Sequence, residues 1–181
     1  ETDCTIVAQQ VDEINEKFVR AYSHDLYPPS LIVSLEVGLE TLLENRAELI
    51  LDHRLTNASN IGFTFWSSGS GFEDSDRPLR FVLGRERSYA VYRIVEEAVA
   101  NAEKKSSTSR IVVDVGIKDE KIRVSIHDNG APIPADAKPG LGHSVIDAFV
   151  QKFDGNVSFK NVGDGVELIA FIPYQPKTVA E

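Results

Sequence analysis

The stretch YRIVEEAVANAEKK, residues 92–105, carries apolar residues at the spacing of one helix face. A stripe of this kind predicts a helix that packs against a sheet, and the rest of the chain can be arranged around it. The stripe consists of Val91, directly before the stretch, and of Ile94, Val95, Ala98, Val99 and Ala102 within it.

Two polar residues of this helix, Glu97 and Asn101, lie outside the apolar stripe. They are four positions apart, so a carboxylate and an amide oxygen would lie on one face, one turn from each other. Mg2+ prefers a few oxygen ligands and completes its shell with water and nucleotide phosphates. Lys104 and Lys105 follow directly and would bring ammonium groups near the same phosphates. The residues therefore predict a magnesium nucleotide site, with an ordinary solvated helix face as the alternative.

Composition narrows the class of protein. The 181 residues are 42% hydrophobic and carry a net charge of −9, which fits one globular domain with an appendage and argues against nucleic acid as a partner. Cys4 is the sole cysteine, so we expect no disulfide framework and a reducing, cytoplasmic location. No apolar run approaches a membrane span, so we expect no membrane contact in this segment. The start at Glu1 and the lack of Met predict a piece of a longer protein whose upstream part could hold a sensor or membrane anchor.

Helical and alternating patterns predict the remaining elements. Helices are expected at residues 5–26, 31–51 and 144–153, and loops at residues 67–76 and 131–142. Helices on one side of a largely antiparallel sheet predict a two-layer α/β sandwich. Strands are expected at residues 61–66, 79–83, 110–117, 121–127, 157–160 and 166–172, the last four forming two hairpins.

The first helix carries a narrow apolar stripe typical of helix pairing in a bundle or coiled coil. The spacing predicts a homodimer through this helix, with packing on its own domain as the alternative. Pro28 and Pro29 end the helix because proline lacks the N–H group. The stripe consists of Val7, Val11, Ile14, Phe18 and Tyr22.

Several motifs follow one another in a characteristic order. RIVEEAVANAEKK at residues 93–105 precedes a strand ending in Asp128-Asn129-Gly130, a loop, and Gly140-Leu141-Gly142 at the mouth of a helix. This order resembles the ATP-binding domain of the GHKL superfamily, which includes sensor histidine kinases, Hsp90-type chaperones, type II topoisomerases and MutL proteins. The first motif looks like the N-box of histidine kinases with a short ATP lid, RI-x-x-E-A-x-x-N-A. HDLYPPSL at residues 24–31 looks like their link between the dimerisation helix and the ATPase domain.

The resemblance implies roles for the helix residues. Asn101 would be the Mg2+ ligand, and Glu97 would orient the water of the metal or polarise the attacking group. From their position at the end of the helix, Lys104 and Lys105 would contact phosphate. The cofactors implied are ATP and Mg2+.

It also implies roles for residues after the helix. Asp128 would accept a hydrogen bond from the adenine amino group, and Gly130 would let the base approach closely. Gly140 and Gly142 would expose backbone N–H groups to phosphate at a helix start. On sequence alone, a turn-forming Asp before Asn-Gly and plain loop flexibility are the alternatives.

The chain departs from the family pattern in three places. Pro132 stands where the pattern Asp-x-Gly-x-Gly has its second glycine, and proline stiffens the lid and removes an N–H. Val166 follows Gly165 where the closing hairpin usually has threonine, so no hydroxyl is expected at the adenine end. Lys105 stands where these kinases commonly have histidine. Tight ATP binding and fast turnover are therefore in question, while the fold is not.

A histidine kinase needs a phosphoacceptor, and the chain has four histidines. His53, His127 and His143 are expected to be surface or pocket residues. His24 precedes Asp25 as an acceptor would, but the two prolines come four residues later, so a residue at a helix end is the alternative.

These observations predict the catalytic domain of a two-component sensor histidine kinase, an enzyme that transfers the γ-phosphoryl group of ATP to histidine and acts with a response regulator. The expected division is an N-terminal dimerisation remnant at residues 1–27, a linker and helix at 28–60, and the catalytic domain at 61–175. The alternatives are a degenerate pseudokinase acting as a dimeric regulatory module and a serine kinase of the anti-sigma-factor type.

Overall fold

The computed structural model describes residues 27–54, 62–69, 79–105, 107–118 and 120–174. No helix in these ranges is both long and apolar enough to cross a membrane. The helix predicted at residues 5–26 and the acceptor candidate His24 lie outside them. The helices are α1 (Pro29–Val33), α2 (Leu35–Arg54), α3 (Leu79–Glu103) and α4 (Leu141–Gln151).

The strands form one five-stranded sheet in the order β1-β2-β3-β5-β4. β1 runs parallel to β2, and every other neighbouring pair is antiparallel. Helices α2, α3 and α4 each contact the sheet, so the predicted two-layer α/β sandwich is confirmed. The strands are β1 (Gly62–Gly69), β2 (Arg110–Lys118), β3 (Lys121–Asp128), β4 (Asn156–Val162) and β5 (Gly165–Pro173).

The predicted apolar stripe of α3 is buried along its whole length. Val91, Ile94, Val95 and Val99 are fully buried, and Ala98 and Ala102 nearly so. They pack against β2, β3 and α2 in a single core. Burying a Val or Ile side chain contributes about 1.5–3 kcal/mol, so this stripe fixes α3 on the sheet.

The strand predicted at residues 79–83 is wrong, because these residues form the first turn and a half of α3. Gly84 interrupts the helix with φ 73° and ψ 166°, a conformation that glycine adopts without a steric cost. A short apolar run before such a break has no helical period of its own, so periodicity cannot separate a strand from a helix there.

Other boundaries also differ from expectation. The loop predicted from residue 67 is wrong up to Gly69, because β2 supplies backbone partners to β1 as far as Gly69, which pairs with Ile117. The helix predicted at residues 31–51 is two helices that meet at Ser34, because the backbone of Ser34 is extended. Its Oγ accepts a hydrogen bond from Val37 N at 3.1 Å and caps the start of α2. Helix α4 begins at Leu141, three residues before its predicted start.

Candidate functional site

A cleft opens where the end of α3 faces β3, β5 and the start of α4. Its atom-free space is about 400 Å³, a figure that includes open solvent at its mouth. Most of its wall is apolar, with a few polar side chains directed inward. The lining residues are Ala98, Asn101, Ala102, Lys105, Ile126, Asp128, Ile133, His143, Phe159, Val166 and Leu168.

Two polar residues at the end of α3 line this wall: Asn101 lies in the last turn of the helix, and Lys105 lies two residues after it. The chain turns sharply after them, because Thr108 is fully buried and its hydroxyl donates to Ala102 O at 2.8 Å. Lys105 N also donates to Ala102 O, at 3.1 Å. This turn directs the Lys105 side chain toward the end of β3.

Asp128, the last residue of β3, is 6% exposed and lies opposite Lys105. Lys105 Nζ is 2.9 Å from both carboxylate oxygens, and Oδ1 also accepts from Gly130 N at 2.9 Å. Asn129 fixes this strand end, because its Oδ1 accepts from Ser109 N and Arg110 N at 3.0 and 2.8 Å. The carboxylate is therefore held in one orientation at the inner end of the cleft.

Gly130 has no room for a side chain. A Cβ at this position would meet Thr108 Oγ1, would lie 2.8 Å from Lys105 Cδ and would lie 2.9 Å from Asp128 Oδ1. In this structure the glycine therefore makes room for the Lys105 stem on its way to Asp128.

Glu97 is buried beside Arg93 rather than in the cleft lining. Arg93 Nη2 donates to Glu97 Oε1 at 3.1 Å, and Arg93 Nη1 lies 2.6 Å from Glu96 Oε2. Arg93 and Glu97 are each 6% exposed, so the pair is desolvated. The i,i+4 spacing of Arg93 and Glu97 is a sequence signal for this contact. Lys104 is exposed and is not part of the lining.

The start of α4 meets α3 at Asn101. A Cβ on Gly142 would lie 2.6 Å from Asn101 Nδ2 and 2.7 Å from Oδ1, so glycine is needed for this close approach. Gly140 is the residue before the helix, is exposed and has open space around it. The amino end of α4 therefore lies beside the Asn101 amide, where backbone N–H groups favour an anion.

The lid loop, residues 129–140 between β3 and α4, is held by a contact that no sequence pattern predicted. Asn161, on β4, forms two hydrogen bonds with the backbone of Ile133: its Oδ1 accepts from the N–H at 2.8 Å, and its Nδ2 donates to the carbonyl at 2.9 Å. Ile133 follows Pro132 and lines the cleft. The clamp therefore docks the loop onto the hairpin of β4 and β5.

Two of the four histidines can be placed by their contacts. His143 lines the cleft and packs on Phe159 with ring centroids 4.3 Å apart. His127 is half-buried, with Nε2 3.3 Å from Asp164 Oδ1. These positions match the expectation of pocket or surface residues. The side chain of His53 lies outside the described part of the chain.

Burial lowers the pKa of His143 from its ordinary value of 6.5, and the nearby Lys105 ammonium lowers it further. The unfolded chain then binds more protons than the folded one between the two pKa values, so stability falls as pH drops through 6.5 toward the folded pKa. We expect His143→Gln to lose less thermal stability than wild type between about pH 7 and pH 5. Proton NMR gives a direct check, and a His143 ring that titrates above 6.5 in the folded protein would contradict the prediction.

Residues 86–176 match the family described as histidine kinase-, DNA gyrase B- and HSP90-like ATPases. The match covers half of the chain, and the chain belongs to this family. The resemblance to the GHKL superfamily is thereby confirmed.

The chain is also similar to individual histidine kinases. The sensor histidine kinase MctS of Rhizobium johnstonii is 27% identical over 163 residues, which cover 87% of this chain and 32% of MctS. The chain thus spans about a third of that relative's length. Among solved structures, histidine kinase AdeS of Acinetobacter baumannii has a TM-score of 0.55 at 17% identity, covering 78% of this chain and 66% of AdeS. The catalytic domain of histidine kinase ThkA has a TM-score of 0.52 at 20% identity, with 77% and 95% covered. These likenesses show the fold.

Proposed function

We propose that this chain is the ATP-binding catalytic region of a two-component sensor histidine kinase, which transfers the γ-phosphoryl group of ATP to a histidine. The relatives MctS, AdeS and ThkA are all named as histidine kinases. One observation carries the proposal beyond the family: Asp128, Asn101 and the amino end of α4 converge on one cleft.

The cleft has two chemically different ends. At the inner end, the fixed Asp128 carboxylate among Ile126, Val166 and Leu168 suits the polar edge of a planar base. At the outer end, the first N–H groups of α4 at Gly140 and Gly142 suit phosphate. A nucleotide would therefore lie with its base against β3 and its phosphates at the start of α4. Lys104 and Lys105 follow the helix that borders both ends.

Mg2+ fits this arrangement through Asn101. Its amide lies in the cleft wall beside Gly142, and Mg2+ in nucleotide sites is bound by one or two protein oxygens while water and phosphates complete its shell. Among the described residues no group of three or more His, Cys, Asp and Glu could hold a metal alone, which agrees with a site that phosphates complete. When bound together with nucleotide, Mg2+ would neutralise phosphate charge.

We assign Glu97 the role of polarising the attacking histidine. Its carboxylate lies one turn before Asn101 and is oriented by Arg93 at 3.1 Å. The buried arginine fixes the direction of the carboxylate, and the rest of the catalysis would come from positioning the phosphates.

Two partners follow from this function, a second copy of the chain and a response regulator. We propose that residues 1–27 form the dimerisation remnant and pair two chains, that residues 28–60 are a linker and entry helix before the catalytic domain at 61–175, and that a response regulator receives the phosphoryl group. The apolar stripe of residues 7–22 supports the homodimer. Sedimentation of the whole chain and of a chain lacking residues 1–27 tests it, and an unchanged oligomeric state would contradict it.

Calorimetric titration of the chain with ADP, with and without Mg2+, tests nucleotide binding. We expect saturable binding that Mg2+ strengthens, and no binding at millimolar ADP would contradict the proposed function. Incubation with ATP labelled in the γ-phosphate then tests the acceptor. Acid-labile label is expected for phosphohistidine, whereas acid-stable label would indicate the serine kinase alternative.

A further inference from the structure

The pair formed by Lys105 and Asp128 changes what the inner end of the cleft offers to a base. The ammonium lies 2.9 Å from both carboxylate oxygens, and the two side chains are 22% and 9% exposed. Both residues line the cleft. A base that reaches Asp128 therefore also meets a cation.

The acceptor capacity of Asp128 is mostly used. Its Oδ1 accepts from Lys105 Nζ and from Gly130 N, each at 2.9 Å, and its Oδ2 accepts from Lys105 Nζ at 2.9 Å. Each carboxylate oxygen has two lone pairs and an ammonium has three donors. One acceptor site on Oδ2 and one donor on Nζ thus remain for a ligand, side by side.

The residues of β5 that line the cleft, Val166 and Leu168, have no polar side chain that could bind the base. Val166 pairs with Asp128 across the sheet and is 5% exposed, so its apolar side chain lies beside the ion pair. Ile126 and Leu168 continue this apolar wall. Recognition of the base edge at this end rests on Lys105 and Asp128 together.

An isolated carboxylate and this ion pair select different bases. The carboxylate accepts from the 6-amino group of adenine and repels the 6-oxygen of hypoxanthine or guanine. The ion pair also accepts a 6-oxopurine, because the ammonium can donate to O6 while Oδ2 accepts from N1–H.

We propose that Lys105 determines base selectivity in this cleft and makes it accept 6-oxopurine nucleotides as well as adenine nucleotides. The inference rests on the proposed nucleotide-binding function. Gly130 is part of the device, because it leaves the space through which the Lys105 stem reaches Asp128.

The test compares the affinities of ADP and IDP, which differ only in the group at position 6 and the proton at N1. Calorimetry on the whole wild-type chain should give affinities within about 10-fold of each other, whereas an unrelieved mismatch at a buried polar group costs about 10- to 100-fold. Lys105→Met keeps the side-chain length and removes charge and donors. It should raise the preference for ADP by about 10-fold or more.

Lys121→Met is the matched control, because Lys121 is exposed at the start of β3 and its replacement changes the net charge equally. The control should keep the wild-type ratio. Lys105→Arg retains a cation and should also keep the ratio, so it and the wild type decide the matter if the Met variant does not fold. A wild-type preference for ADP above about 10-fold, or an unchanged ratio in Lys105→Met, overturns the inference alone. No binding of either nucleotide to wild type overturns the proposed function as well.

Discussion

Gly165→Ala should severely destabilise the domain. A Cβ at Gly165 would collide with the backbone carbonyl oxygen of Asp128 and would lie 2.7 Å from Asn129 Cα and from Asp128 C. These are backbone atoms of the strand end that forms the inner wall of the cleft, so neither a rotamer change nor a flexible side chain relieves the overlap. We expect a loss of about 3 kcal/mol or more in the free energy of unfolding, at the upper end of overpacking effects.

The turn before β5 provides a control two residues away. Gly163 has no atom within 4 Å of an added Cβ and has no positive φ. Gly163→Ala should be neutral or stabilise the protein by a few tenths to about 1 kcal/mol, because alanine restricts the unfolded chain. Urea denaturation followed by circular dichroism measures both variants. Equal stability of the Gly165 variant and wild type would show that β3 and β5 can separate at this point.

The elements that sequence predicts well are those specified by local pattern. The α3 stripe has a period of 3.6 residues over several turns, and each hairpin has two alternating runs around a short polar tip. The errors occur where another part of the chain supplies a strand partner or where a single residue breaks the helical pattern. β2 extends β1 through Gly69, and Gly84 separates residues 79–83 from the periodic part of their helix.

The candidate site, too, was predicted only in part from the sequence. Residue types and their order were sufficient for the resemblance that selected Asn101 and Asp128, and the structure brings both to one cleft. The contact between Lys105 and Asp128 spans 23 positions and depends on the Thr108 turn and on the space at Gly130, which no local pattern encodes. The Asn161 clamp on Ile133 spans 28 positions and depends on the register of β4 with β5.

A kinase and a degenerate module would differ in the groups of the cleft that contact bound nucleotide. Pro132 replaces a lid glycine, yet the following residue is clamped by Asn161 and lines the cleft, so the lid begins in a defined position. Val166 brings no hydroxyl, and Lys105 adds a donor at the same end. The departures from the family pattern thus change the inner end of the cleft and leave unchanged the Asn101 end, where we propose that Mg2+ binds.

Asn101→Ala should remove the effect of Mg2+ on nucleotide binding. Its amide lies in the cleft wall beside the amino end of α4, and the proposed site has few other protein oxygens to offer the ion. We expect about 100-fold weaker binding of ADP in the presence of Mg2+, equivalent to about 2.8 kcal/mol, and little change without it. The free energy of unfolding should change by no more than about 0.5 kcal/mol, because Asn101 is only partly buried.

Two further variants sharpen this result. Gly142→Ala places a Cβ 2.6–2.7 Å from the polar atoms of the Asn101 amide, so it should displace that amide and reproduce part of the loss of Mg2+-dependent binding while Asn101 remains present. Asn156→Ala removes an exposed asparagine at the start of β4 and should bind Mg2+ and ADP as wild type does. Calorimetric titration of ADP at several Mg2+ concentrations, paired with thermal melts without nucleotide, separates lost binding from lost folding. An Asn101→Ala variant whose ADP affinity still rises with Mg2+ as in wild type would place the metal on other residues and end the assignment of Asn101.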